Sequence, residues 1–310
     1  MILFCKNKAV YDIEHNLVLN HSLLPGVMQR NPCLKSFNYW LSTRYSASSN
    51  FIAQGLKYTL DCNNYKLIDI DTYALSLSDC YWLKDNNDTI NFEDVSPYCR
   101  DFWRGVGHFS KGAIPTLYVN GALPKEWQSS QYLFKYGELG VEAEVCNLCS
   151  HCGVPANRAF STSSGVVLQN FTDTTVMLEQ ANQSGYFSDN YTNREIINQF
   201  GSFGVQMLTI DAIVGNGDRH TGNFGWLRDA DSGAYLRPAP LYDFDHALDD
   251  KTDFMIKDLI KTVKFQQFEV QLVLQIAETV SRMSTLGVFR DRAKMLLYSL
   301  ENTEKRGKYA

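Results

Sequence analysis

The chain has 310 residues, 45% hydrophobic and 20% charged, which is ordinary for a globular protein and long enough to bury a core in one large domain or two. Twenty-nine basic against thirty-four acidic residues give a net charge of −5, which argues against a protein whose main business is coating nucleic acid, since such binding runs on neutralised phosphates. No run of about 18 apolar residues occurs, so no membrane span is expected.

The apolar start, residues 1–10, soon meets Asp12 and Glu14 and is too short for a signal peptide. Eight cysteines in so long a chain fit a reduced compartment better than a disulfide scaffold, and the chain reads as cytoplasmic. Residues 1–104 carry short, mixed signals. A helix is expected over 37–44 and a strand over 65–71, and 85–88 reads as a turn. The aromatic run at 79–83 fits a core or an interface better than a ligand box. No recognisable chemistry falls here, so 1–104 is taken as an N-terminal extension of unknown role that packs on the lobe beginning at 105.

From 105 the texture changes. Gly105, Gly107, Gly112 and Gly121 fall close together with Pro115 and Pro124. A strand is expected over 131–136, placing Leu133 and Lys135 on one face. A helix comes next over 141–152, a stretch without Gly or Pro. Cys146, Cys149 and Cys152 repeat every three residues around His151 and could hold a metal. On a helix, however, thiols at that spacing share a face and pack as small hydrophobes, and no second cysteine pair occurs downstream to complete a tetrahedral site. Strands are expected over 165–170 and 174–179, the latter as a connection between lobes. Beyond them the pattern is mainly helical: a helix from Arg194 capped by Thr192 or Asn193, then 203–214, 259–263, 268–284 and 290–300. The result is an α+β chain in two lobes, a small β-rich N-lobe over 105–180 and a larger, mainly α-helical C-lobe over 181–310.

The chemistry concentrates in Gly215, Asn216, Gly217, Asp218, Arg219, His220, Thr221, Gly222 and Asn223, with Asp243 twenty residues later behind Leu241 and Tyr242. Phosphoryl transfer needs metal ions on the phosphates, ligands for those ions, and a carboxylate that orients the attacking hydroxyl. Magnesium takes hard oxygen ligands and few of them from protein. Asp218, Asn223 at +5 and a later Asp243 supply that set. Taken singly, Asp218 is also good helix-ending turn chemistry.

This arrangement resembles the catalytic and metal-binding motifs of HipA-like kinases, and the Asp-Arg-His order is similar to the loop of the phosphatidylinositol 3- and 4-kinase group. The resemblance spans about residues 105–300 and is most specific at 215–225; in size it is nearest to single-chain HipA-like kinases. It implies a two-lobed protein-kinase-like fold, a catalytic Asp218, metal ligation by Asn223 and Asp243, and ATP with Mg2+ as cofactors. It also implies nucleotide contacts from Lys135 on its strand, from Gly121 in the loop 116–125 and from Glu179, and a partner for Lys135 in Glu142 or Glu144, with Glu142 preferred. Asp245 stands where many kinases have glycine and is read as a solvated charge before a second metal ligand. His220 is read as a structural histidine before a general base, and Arg219 and His246 as local ion-pair or hydrogen-bond partners.

The function so implied is a serine/threonine protein kinase that autophosphorylates, with Ser110, Thr116 and the hydroxyls at 161–164 as candidate acceptors. Expected partners are a protein substrate and an antitoxin or regulatory protein, with no membrane and no nucleic acid. Secretion as an effector is the other localisation the resemblance implies. A lipid or small-molecule kinase and a nucleotide-binding regulator without turnover are the competing readings.

Overall fold

Alternation of side chains makes the first strands. In β1 (Ile2–Cys5), Leu3 and Cys5 are buried while Ile2 and Phe4 are half-buried, and the chain reverses at Lys6, which adopts φ +51°, into β2 (Lys8–Asp12). The strand β3 (Leu17–Val18) adds to β2, and after α1 (Gly26–Arg30) and α2 (Leu34–Ser42) the strand β4 (Tyr81–Lys84) returns antiparallel to β1. The sheet order is therefore β3-β2-β1-β4. The computed structural model describes residues 1–44, 73–85, 87–99, 125–137, 140–188, 190–248, 252–263, 266–283 and 287–307. The strand expected over 65–71 and the glycine-rich stretch holding Gly121 lie outside the described residues. The aromatic run does enter the core: Tyr81, Trp82 and Leu83 are buried, with Trp82 edge-on to Tyr73 at 6.0 Å. A capping box at Asn91 opens the short α3 (Phe92–Val95), the Asn91 N–H donating to Asp94 Oδ2 at 3.1 Å.

Strands of two further antiparallel sheets lie in the first of the chain's two compact units. In one, β5 (Lys125–Ser129) pairs with β6 (Tyr132–Tyr136), which pairs in turn with β8 (Gly165–Gln169). The register sets Leu133 against Leu168, and Lys135 against Lys125 on one side and Val166 on the other. In the other, β10 (Gly225–Asp229) lies between β9 (Val176–Gln180) and β11 (Tyr235–Pro238). The strands expected over 165–170 and 174–179 thus exist but join different sheets. Met177 on β9 and Ala230 beside β10 belong to the same apolar core as Leu3, Val10, Phe37, Trp40 and Trp82, so the described N-terminal residues share a core with this sheet.

The β10–β11 hairpin is an unexpected strand pair within a second half that is, as expected, mainly helical. Its turn is held by Asp229, whose Oδ1 accepts from the backbone N–H and the hydroxyl of Ser232 at 2.7 and 2.6 Å. Gly233 comes next with φ +76°, where a side chain would be strained and a Cβ would come 2.0 Å from the Ser22 carbonyl oxygen.

The second unit is helical and is built on α7 (Ser202–Val214). That helix is apolar on all sides, so it can be stable only as a central element, and every residue from Phe203 to Val214 except Gln206 is buried. Around it pack α6 (Asn193–Phe200), α8 (Thr252–Val263), α9 (Gln267–Arg282) and α10 (Gly287–Gly307). Thr192 caps α6 in a reciprocal box: Glu195 N–H donates to Thr192 Oγ1 and Thr192 N–H to Glu195 Oε2, at 3.3 and 2.7 Å. The unit also holds α4 (Gly140–His151) and the short strand β7 (Ala159–Ser161), while α5 (Ala181–Ser184) lies in the first unit. On α4, Cys146 and Cys149 are buried as the helical spacing predicts, whereas Cys152 lies just past the helix end and is half-buried. Burial holds the Cys149 thiol far above its usual range and pushes Cys152 up to about 11, so both stay protonated near neutrality. No described helix is long and apolar enough to cross a membrane.

Candidate active site

The second unit alone contains Asp218, Asn223, Asp243 and Glu142. The loop that carries Asp218 starts where α7 must stop. Gly215 takes the left-handed conformation (φ +69°, ψ +40°), and its N–H and that of Asn216 both donate to the Asp211 carbonyl, at 2.8 and 3.0 Å. Asp218 then falls four residues past the helix end with half of its side chain exposed.

Asn223 closes the loop from inside. Its Nδ2 donates to the Asp218 carbonyl at 2.7 Å, and its Oδ1 accepts the His220 N–H at 2.9 Å. A carbonyl oxygen has two lone pairs, so this bond leaves Oδ1 one further acceptor position. Tyr191 holds the loop from behind, its hydroxyl donating to the Arg219 carbonyl at 2.5 Å. Burial pushes the Tyr191 hydroxyl up to about 12, so it remains a donor. The loop's exit is fixed by Phe224, which is buried edge-on to Phe187, Tyr191 and Phe200 at 5.4 to 5.8 Å.

The second loop is anchored at both ends. Leu241 bridges the stretch after α4, donating to the Pro155 carbonyl at 2.9 Å and accepting from Asn157 N–H at 2.7 Å. Further on, Leu248 N–H donates to the Val214 carbonyl at 2.8 Å. Between these points Phe244 is fully buried and its N–H donates to Glu142 Oε1 at 3.3 Å. Glu142 is itself buried, whereas Glu144 is exposed. Asp243 adopts φ +63°, a left-handed conformation that costs a non-glycine residue roughly 1–2 kcal/mol. Such strain persists only where surroundings impose it, and it gathers at functional sites.

Several contacts join the two loops. Arg219, buried, forks onto Asp211 with Nε to Oδ2 at 2.8 Å and Nη2 to Oδ1 at 2.7 Å. Its Nη1 donates both to the Asn223 carbonyl and to the Tyr242 carbonyl, each at 2.9 Å. Burial alone would lower the Arg219 pKa, but Asp211 outweighs that and raises it. The Tyr242 hydroxyl donates to the Gly222 carbonyl at 3.2 Å, and Phe244 lies under the Arg219 guanidinium at 5.0 Å. Two imidazoles flank Asp218: the Nε2 atoms of His220 and His246 stand 3.9 and 4.0 Å from its Oδ2. His220 accepts from Gly222 N–H through Nδ1 at 3.0 Å. The polar contacts foreseen for Arg219 and His246 are present, but spacing did not reveal that Arg219 spans both loops. Asp211 is the buried partner that makes this possible, and the signal for it in the sequence is a lone charged residue in a largely apolar helix.

The remaining candidates lie in the first unit. Lys135 is 2% exposed on β6, directly across from Lys125, which is equally buried. Glu179 is also buried. Its Oε2 accepts from Arg228 Nη1 and from the Gly26 N–H, the latter at 3.0 Å, and its Oε1 accepts from the Tyr235 hydroxyl. Arg228 is completed by the carbonyls of Gly233, Leu24 and Ser22 at 2.9, 3.0 and 3.1 Å. The Glu179 carboxylate is thereby committed to the protein, and a nucleotide contact from this residue would have to come from its main chain. Glu179→Ala leaves a fully buried guanidinium without its counter-charge, so it is expected to cost about 3–5 kcal/mol in urea unfolding. Loss of under 1 kcal/mol would show that the neighbouring carbonyls suffice.

At the level of fold the chain is HipA-like, with small antiparallel sheets and a mainly helical unit. The structure that shows this is HipA of Shewanella oneidensis MR-1, from a toxin–antitoxin system and solved with HipB and operator DNA. It is 11% identical with a TM-score of 0.58, covering 97% of this chain and 96% of that one. The Helicobacter pylori proinflammatory kinase CtkA is also similar, at 15% identity and a TM-score of 0.38, covering 60% of this chain and 92% of its own. No protein-family model and no curated protein matches the chain.

Proposed function

We propose that the chain is a HipA-like phosphotransferase that moves the γ-phosphate of Mg-ATP to a serine or threonine hydroxyl of a protein. One observation carries this reading. The loop bearing Asp218 and Asn223 and the loop bearing Asp243 are brought together by a single guanidinium, with His246 of the second loop 4.0 Å from Asp218 of the first. The donor set fits magnesium, since an amide oxygen and a carboxylate are hard ligands and leave room for waters and phosphate oxygens.

In this reading Asn223 and Asp243 would hold the metal, which when bound neutralises charge on the phosphates. Asp218, the most exposed of the three, faces the acceptor hydroxyl, orients it and takes its proton. Glu142 fixes the second loop by accepting the Phe244 N–H. Lys135 contacts the phosphates and, with Gly121, completes the nucleotide set. Lys135→Ala is expected to raise the KM for ATP about 10–100-fold, the size of one hydrogen bond to a charged group of about 1.5–3 kcal/mol. An unchanged KM and kcat would remove Lys135 from the site.

The test of the whole reading is transfer of labelled γ-phosphate, with magnesium, to the protein itself and to a generic protein acceptor. Lipid vesicles serve as the competing acceptor, because the Asp-Arg-His order is shared with lipid kinases. Label on protein supports the proposal, label on lipid alone replaces it with a lipid kinase, and nucleotide binding without any turnover replaces it with a regulatory module. The Shewanella HipA was solved in complex with HipB, and an antitoxin-type protein is the partner we propose for this chain.

A further inference from the structure

Asn223 and Asp243 come from loops twenty residues apart, and nothing covalent sets their separation. Magnesium tolerates little error, because it demands near-octahedral geometry at about 2.0–2.1 Å from its ligands. The backbone on which each ligand rides must therefore be held. Arg219 Nη1 bonds the carbonyl of Asn223 itself and that of Tyr242, the residue before Asp243, both at 2.9 Å. The opposite edge of the same guanidinium is bolted to Asp211, whose Oδ1 also accepts from Asn216 Nδ2 at 3.0 Å. One rigid plane thus references both loops to the end of α7.

We propose that Arg219 is a positioning residue that sets the magnesium requirement of nucleotide binding by fixing Asn223 relative to Asp243. The proposal rests on the metal roles assigned above. A lysine cannot replace it, since an ammonium is a point donor and lacks the planar fork that serves two edges at once. Nor is the pair explained by stability alone, because a buried ion pair is a poor device for stability compared with apolar packing.

The experiment is a titration of nucleotide affinity against magnesium, using a fluorescent ATP analogue, for the wild-type chain, Arg219→Lys and Asp211→Asn, with thermal unfolding as the check on folding. Outer-shell partners of metal ligands are worth about 10–100-fold in metal affinity. The magnesium concentration for half-maximal binding is expected to rise by that factor in both variants, while affinity measured in EDTA stays at the wild-type value. A folded Arg219→Lys with the wild-type magnesium requirement overturns the proposal, as does an equal loss with and without magnesium. Should Arg219→Lys fail to fold, Asp211→Asn, which keeps the shape and removes the charge, decides by the same criteria. If the wild-type chain itself shows no magnesium-dependent binding, it is the kinase reading that falls, and the two failures are distinguishable.

Discussion

Asp218→Asn is expected to lower phosphoryl transfer by about 10²–10⁴-fold, the usual worth of a general base, with little change in stability. The carboxylate is half exposed, and its contacts to His220 and His246 are long, so removing the charge leaves no buried group without a partner. What holds the loop is its backbone: the Asp218 carbonyl to Asn223, the Arg219 carbonyl to Tyr191, and the Gly215 cap on α7. None of these involves the Asp218 side chain. Nucleotide affinity should also survive, because the role assigned to this residue is toward the acceptor. Steady-state transfer, nucleotide binding and thermal unfolding, measured together, test the assignment. Retention of a tenth or more of wild-type kcat would remove Asp218 from the chemistry.

Asp243 gives the second large effect, and its strained backbone makes the test unusually clean. Asp243→Ala should abolish magnesium-dependent transfer. Asp243→Gly should do so too, but glycine accepts φ +63° without penalty, so relief of strain of roughly 1–2 kcal/mol offsets the greater entropy glycine brings to the unfolded chain. The expected outcome is a glycine variant at least as stable as the alanine variant and equally inactive. That combination separates a residue kept for chemistry from one kept for folding. Were Asp243→Ala to transfer phosphate at near wild-type rates, the metal assignment would be wrong.

Elements with a strong local signal were legible before any coordinates. The helix now called α7 reads from its apolar run, ends at a glycine, and gives way at once to turn residues, so local physics alone positions Asp218 just past a helix end. A cap of α6 at Thr192 or Asn193, between which the structure chooses Thr192, and the buried face of Cys146 and Cys149 were legible for the same reason. The β10–β11 hairpin was not read, although Asp231, Ser232 and Gly233 between two apolar-bearing stretches give a fair turn signal; the helical texture on either side obscured it. The strands of residues 1–12 were missed because β1 and β2 are only four and five residues long and acquire their meaning from pairing. The side-chain role of Glu179 was also beyond sequence, since Arg228, Tyr235 and Gly26 reach it from three distant places in the chain.

By itself the sequence determined which atoms are offered: Asp218, Asn223 and Asp243 at the spacings that the proposed metal–triphosphate site requires, on a chain whose helix ends and turns are set by local propensity. Only the tertiary structure decided how those atoms are held. Each compact unit is assembled from three separated stretches, and one buried arginine, paired with an aspartate on a helix of the core, ties together two loops that share no local signal. The physical reason is that capping and periodicity act over a few residues, whereas the desolvation of Arg219 is compensated only when Asp211 and two distant carbonyls converge on it.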